Sequence, residues 1–255
     1  MRETTDQNAG GKSAKDVRAM FARVAPRYDV LNHLLSLGQD FYWRRAAARE
    51  LGGLEAQAPI ADVCAGTGDL SFAFLNAAPT ARVAALDFTP EMLRLGVVKA
   101  RHRAARFERK GGSLLFARGD TLHLPLRDQS CAVVGAAFGV RNLTDLDAGL
   151  REMFRILRPG GKALILEFTQ PQGRFFGPLY LFYFRRILPL LGRAVARGSD
   201  DAYTYLPSSV AAFAGPQEMA ERMQAAGFTP VRSRVLTFGT VHLYVGYRAP
   251  DSAKL

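Results

Sequence analysis

Asp87 stands about twenty residues beyond Gly66 and Gly68, the spacing at which a carboxylate can accept both hydroxyls of a ribose. The glycines belong to Ile60-Ala-Asp-Val-Cys-Ala-Gly-Thr-Gly-Asp69, and the acid to Val83-Ala-Ala-Leu-Asp-Phe88. Glycine lets the backbone turn tightly and approach a ligand closely. The helix that opens at Asp69-Leu-Ser-Phe-Ala-Phe-Leu offers unpaired N–H groups to an anionic group. With Ile60 and Val63 giving strand character before the turn, these residues describe a nucleoside-binding βαβ unit.

Three readings compete for that unit. One is a plain α/β turn with no ligand. A nicotinamide dinucleotide would call for Gly-x-Gly-x-x-Gly, but Ser71 holds the third glycine position. S-adenosylmethionine has no pyrophosphate to cradle. It needs a turn for its amino-acid portion and an acid for its ribose, and the residues favour it.

The elements that must position these groups alternate along the chain. Residues 1–15 are polar and are expected to be a disordered tail, without the apolar core of a secretory signal. Residues 16–52 form a helical entrance segment that can act as a lid. In it Val17, Met20, Phe21 and Val24 recur at helical spacing before Pro26, and a second helix runs from about Asp40 to Leu51. A strand near 60–64, a helix at 69–77 and a strand at 82–86 follow. A helix starts at Thr89-Pro90, and a third strand over 114–120 ends in Asp120. Residues 132–138 make a fourth strand and Asp145–Leu157 a helix. A Pro-Gly-Gly turn at 159–161 leads to a fifth strand over 162–168. The alternation breaks at about 174–214, an aromatic-rich stretch expected to be a helical cap. A helix near 216–226 and a hairpin around Phe238-Gly239 close a single domain over 16–255.

Composition sets the outer limits. The chain has 255 residues, 48% of them hydrophobic and 22% charged, ordinary values for one large domain. Cys64 and Cys131 fall in strand regions and are expected to be free thiols. No apolar run reaches the roughly eighteen residues of a membrane-spanning helix. The net charge of +11 suits nucleic acid or an anionic membrane surface. Its densest stretch, Lys99 to Lys110, fits a solvated helix face, and no RNA-reading motif accompanies it.

In this order the pieces resemble the ubiquinone/menaquinone biosynthesis C-methyltransferase family from Met20 to Arg248. The marks are Tyr28-Asp29 with Asn32 and Ser36-Leu-Gly38, then Ala65-Gly-Thr-Gly-Asp69 and Asp87 with Met92-Leu93. Leu124-Pro125, Phe138-Gly-Val-Arg-Asn142, Arg158-Pro-Gly-Gly161 and Leu166-Glu-Phe168 continue them. Tyr203-Thr-Tyr-Leu206 and Ala226-Gly-Phe228 close them. The glycine turns are generic to class I methyltransferases. Phe-Gly-x-Arg-Asn, Leu-Glu-Phe and Tyr-x-Tyr-Leu together are far more specific.

The resemblance implies an α/β fold of class I methyltransferase, Rossmann-like type: a mostly parallel seven-stranded sheet with helices on both faces and a helical cap. It implies methyl transfer from S-adenosylmethionine, without a metal, to a ring carbon of a polyprenylated quinol. Asp62, Gly66, Thr67, Gly68, Asp87, Asp120 and Thr121 would hold the donor. Arg141 and Asn142 would orient and stabilise the phenolate. Arginine stays protonated, so the proton would go to water or to Asp120. Tyr28, Asp29, Tyr203 and Tyr205 are the expected acceptor-side residues, and Phe175–Leu191 is a cap core, an isoprenoid channel or a membrane-dipping surface. The protein would be cytoplasmic, with peripheral contact to the inner membrane face and homo-oligomerisation left open, and no nucleic-acid partner is expected.

Ala65, Ser130-Cys131, Ala137 and Ser208-Ser-Val210 depart from the family pattern and bear on the acceptor more than on the donor. The rival readings are a methyltransferase for another lipophilic phenol or aromatic, an RNA methyltransferase, and a non-catalytic scaffold of a quinone-synthesis complex.

Overall fold

The computed structural model describes residues 13–171 and 200–251, together with Gly11, Gly177 and Phe182. Ser13 caps the first helix, α1 (Ala14–Val24), by accepting from the Asp16 amide. This helix therefore begins inside the stretch expected to be a tail. Val17, Met20 and Val24 are its buried face. After a short 3-10 turn carrying Pro26 come α2 (Tyr28–Leu35) and α3 (Gln39–Arg49), joined through Gly38 at φ 74°.

Strand β1 (Pro59–Val63) leads to α4 (Asp69–Ala77), β2 (Arg82–Asp87), α5 (Pro90–Arg101), a short α6 (Ala104–Glu108) and β3 (Ser113–Arg118). Then come β4 (Cys131–Ala137), α7 (Leu146–Ile156), β5 (Leu157–Phe168), α8 (Asp200–Ala212), α9 (Pro216–Ala225), β6 (Val231–Leu236) and β7 (Val241–Tyr247). The sheet order is β3-β2-β1-β4-β5-β7-β6. The first five strands run parallel, and β7 is antiparallel to both β5 and β6. Helices cover both faces. Trp43, Phe72, Phe74 and Leu75 pack on one side, while Leu150, Met153, Met219, Met223 and Phe228 pack on the other.

Two boundaries differ from the sequence expectation. β3 stops at Arg118, so Asp120 sits in the turn beyond the strand, where its carboxylate accepts from the Leu122 amide at 2.9 Å. β5 begins at Leu157 rather than after the Pro-Gly-Gly turn. Its pairing with β4 jumps from Cys131↔Leu157 to Val133↔Lys162, so residues 158–161 bulge within the strand. The bulge persists because Arg248 satisfies its backbone, with Gly160 N donating to Arg248 O at 3.0 Å and Arg248 N to Gly161 O at 2.9 Å. Of the expected cap, α8 is helical. The Phe175–Leu191 stretch lies outside the described residues apart from Gly177 and Phe182. Among the described residues no helix is long and apolar enough to cross a membrane.

Candidate active site

The strand order reverses between β1 and β4, which opens a crevice at the carboxyl ends of the parallel strands. A cleft lies there. Its floor comes from Cys64 and Gly66 after β1, Asp87 ending β2, Asp120 and Thr121 after β3, and Ala137 to Gly139 after β4.

The glycine turn is built from left-handed residues, Cys64 at φ 53°, Gly66 at φ 57° and Gly68 at φ 85°. Ala65 is not among the residues of positive φ, so its side chain is accommodated there. The strained non-glycine residue is Cys64, at a cost of about 1 kcal/mol. Burial pushes its thiol up to about 12, and the Thr121 hydroxyl lies 3.3 Å from its sulfur. Cys64 is therefore a wall of the cleft and not a nucleophile.

Asp87 braces that turn. One carboxylate oxygen accepts from the Gly66 amide at 2.7 Å and the other from the Thr89 amide at 2.7 Å. Burial raises its pKa, and these amide bonds oppose the rise.

Gly139 passes so close to Cys64 that an added Cβ would fall 2.3 Å from the Cys64 Cβ. Gly139→Ala is expected to lower stability by about 1–3 kcal/mol through overpacking. Urea unfolding measures this, and an unchanged midpoint would show that the loop relaxes freely.

The other expected donor residues divide. Thr67 is 2% exposed and does not line the cleft. Its hydroxyl donates to Asp29 at 2.6 Å and receives a bond from Lys99 at 3.0 Å. Lys99 also bonds Asp29 at 2.9 Å and pairs with Asp69 at the start of α4. Burial favours the neutral form of Asp69, but Arg44 and Lys99 outweigh it and hold the carboxyl below its ordinary range. This network ties α2 to the glycine turn. His33, Asp40 and Asp69 present ligand atoms within 4.8 Å of one another, but Arg44 and Lys99 already neutralise the acids.

Asp62 is fully buried behind the turn and outside the cleft lining. It accepts from the Ser71 hydroxyl at 2.6 Å, while its other oxygen has no partner. Burial pushes its pKa up to about 7, against the pull of the Ser71 bonds. The native state thus keeps a proton that the unfolded chain loses near pH 3.9, so this group's contribution to stability declines as pH rises toward 7. Asp62→Asn removes that decline. Its melting temperature relative to the parent is expected to be higher at about pH 8 than at about pH 5. A difference that does not vary with pH would contradict the raised value.

Elsewhere in the cleft, Tyr28, Asn142, Leu143 and Thr144 are part of the lining. Burial raises the Tyr28 hydroxyl above its ordinary range. Asn142 Oδ1 accepts from the Tyr205 hydroxyl at 2.9 Å, which joins the loop after β4 to α8. Tyr205 packs with Val17 and Met20 of α1, and α1 contributes Ala14, Val17, Arg18 and Phe21 to the cleft wall. Tyr203 falls in the same helix α8, outside the described side chains.

Arg141 is only 6% exposed and does not line the cleft. Its guanidinium bonds Glu167 at 2.8 Å and the Phe138 carbonyl, and its backbone amide donates to the same carboxylate at 3.3 Å. The structure thus brings Asn142 to the cleft and holds Arg141 beneath the loop.

Lys99 is expected on a solvated basic helix face, and Glu167 enters only as part of a family mark. The structure instead places Lys99 in the network of Asp29, Thr67 and Asp69, and Glu167 beneath the loop after β4. A signal existed for Lys99, because it lies seven and three residues after Met92 and Gly96, two of the three buried positions of α5. The basic run around it hid that phase. Phe88, lining the cleft next to Asp87, is flanked by Arg18 and Arg118, each within 6 Å of its ring.

A mostly parallel sheet of this order, with a half-buried acid ending the second strand and bracing a glycine turn, defines the class I S-adenosylmethionine-dependent methyltransferase fold. A methyltransferase of this kind from Thermotoga maritima superposes with a TM-score of 0.57 at 16% identity, covering 90% of this chain and 98% of its own, and supports the fold alone. The model of the ubiE/COQ5 methyltransferase family matches residues 8–248, and the chain belongs to that family. A demethylmenaquinone methyltransferase of Deinococcus radiodurans is 45% identical over 90% of this chain and 91% of its own. A ubiquinone/menaquinone biosynthesis C-methyltransferase UbiE of Syntrophotalea carbinolica is 41% identical over 95% and 98%.

Proposed function

We propose that this protein transfers a methyl group from S-adenosylmethionine to a ring carbon of a polyprenylated quinol, in the late steps of quinone synthesis. The observation that carries the reading is a single cleft with two chemically different walls. Asp87, Asp120 and Thr121 form a polar wall at the strand ends, and Val17, Phe21, Phe138 and Leu143 form an apolar one. Asn142 stands in the lining as well.

The donor fits these residues. Asp87 lines the cleft at the end of β2 and presents its carboxylate to the ribose hydroxyls. Small or absent side chains at Gly66 and Ala137 leave room at the strand ends. Thr67 acts from behind the turn, holding it to Asp29, and Asp62 acts through Ser71. When bound, S-adenosylmethionine supplies an already activated methyl group on a sulfonium.

The residues need only align the ring carbon, exclude water and favour the phenolate. Asn142, held by Tyr205, hydrogen-bonds the acceptor oxygen as its charge develops. Tyr28 borders the same space. Asp120, the more solvent-accessible carboxylate of the cleft, relays the phenolic proton outward through water. Once the ring carbon has taken the methyl and S-adenosylhomocysteine is released, the hydrogen on that carbon passes to the ring oxygen and the aromatic quinol is restored. Arg141 is a positioning residue: paired to Glu167, it fixes the Phe138–Asn142 loop. A lipophilic acceptor brings the reaction to a membrane surface. We take the protein to work from the cytoplasm, peripheral to the inner membrane face.

The relatives' names include both a naphthoquinol and a benzoquinol route, and the acceptor is chosen by assay. Purified protein with S-adenosylmethionine is offered reduced demethylmenaquinone and, separately, a reduced prenylated methoxy-benzoquinone. Mass spectrometry should find one added methyl on ring carbon in at least one of them. Donor binding without transfer to either would move the activity to another lipophilic phenol.

A further inference from the structure

The side of α2 and α3 that faces away from the cleft carries an unusual combination. Val30, Leu34, Leu37 and Phe41 are 63%, 44%, 76% and 60% exposed. Val30 and Leu34 lie one helical turn apart on α2 and so share a face. Leu37 sits in the connecting turn at φ 51°, and Phe41 opens α3 with its ring stacked on His33 at 4.3 Å. Arginines flank this apolar stretch on both sides. Arg27 precedes Val30 by about one turn, and Arg45 and Arg49 follow Phe41 by one and two turns, all exposed.

The nearby acids are engaged elsewhere. Asp29 bonds Thr67 and Lys99, Asp40 is buried against Arg44 and His33, and Glu50 lies beside Arg234 at 3.6 Å. An apolar tip between basic flanks, with no exposed acid among residues 27–49, matches the profile of a lipid interface: hydrocarbon below and anionic headgroups at the level of the arginines. A second copy of this chain on the same face would set arginines against arginines.

We propose that residues 27–49 are the surface by which this protein docks on an anionic lipid bilayer. The proposal deepens the reading of a membrane-borne acceptor and rests on it. The same helix serves both ends, because Tyr28 lines the cleft and Asp29 is tied to the glycine turn while Val30 and Leu34 face outward. Docking through this face therefore lays an element of the cleft wall against the layer that holds the acceptor.

The test is co-sedimentation of the full chain with phosphatidylcholine vesicles containing phosphatidylglycerol and no quinone. The parent should pellet at low salt and be released at high salt. Leu37→Glu with Phe41→Glu should partition about tenfold more weakly or worse, with unchanged donor affinity and melting temperature. Arg45→Glu with Arg49→Glu, which leaves the apolar groups in place, should show the same loss on anionic vesicles and so covers any misfolding of the first variant.

Parent protein that stays in the supernatant, or variants that pellet as the parent does, would overturn the proposal. So would a concentration-dependent dimer in solution that these substitutions dissolve, which would assign the face to a second copy. Since the vesicles contain no quinone, either failure leaves the methyl-transfer assay to stand or fall by itself.

Discussion

Replacing Asp87 with alanine should weaken S-adenosylmethionine binding by about 100-fold or more, the larger of the two main expected effects. The carboxylate does two jobs at once. It holds the glycine turn through the Gly66 amide and the next loop through the Thr89 amide, each at 2.7 Å, and it faces the cleft where the ribose would sit. Hydrogen bonds to a charged group contribute about 1.5–3 kcal/mol each. Losing two of them to the ligand costs about 3–6 kcal/mol, two to four powers of ten in affinity. Isothermal titration on the folded variant measures it. An affinity within about threefold of the parent would mean that the donor's ribose sits elsewhere.

The second large effect falls on turnover. Asn142→Ala should lower kcat by about 100-fold while the donor affinity stays near that of the parent, because a preorganised donor aimed at developing charge contributes on that scale. Tyr205→Phe removes the 2.9 Å bond that orients the amide and keeps the side-chain volume. It should cost about tenfold, consistent with one lost neutral hydrogen bond. Steady-state kinetics with titration of the donor separates the two steps. Equal losses in donor affinity and kcat would make Asn142 part of the donor site.

Much of this arrangement is visible in the amino-acid order because the chemistry is local. The Gly66–Gly68 turn, the strand ending at Asp87 and the small residues of β4 are each fixed by backbone demands that a few neighbouring residues state plainly. Family membership follows from motifs spread along almost the whole chain, and the family match over residues 8–248 bears out that resemblance. What the sequence hid is long-range. Arg141 and Glu167 are 26 residues apart, and nothing local announces that the guanidinium turns down onto that carboxylate.

Lys99 presents the same difficulty from another side. It is embedded in a basic run typical of solvated helices, yet it reaches Asp29, 70 residues away, because Gly96 lets α5 approach the ring of Phe116. Asp62 is expected among the donor-binding residues but lies beneath the turn, where only Ser71 meets it. In each case the residue type was legible and its orientation was not, since orientation is set by which distant strand the side chain packs against.

The most direct test of the account is transfer of a labelled methyl group. The protein is incubated with S-adenosylmethionine carrying a trideuterated methyl and with reduced demethylmenaquinone in vesicles, and the product is examined by mass spectrometry and carbon NMR. One intact trideuterated methyl on a ring carbon, lost with Asp87→Ala and strongly reduced with Asn142→Ala, is the predicted result. Label on a ring oxygen, or none on either this quinol or the reduced prenylated methoxy-benzoquinone while the donor binds normally, would contradict it.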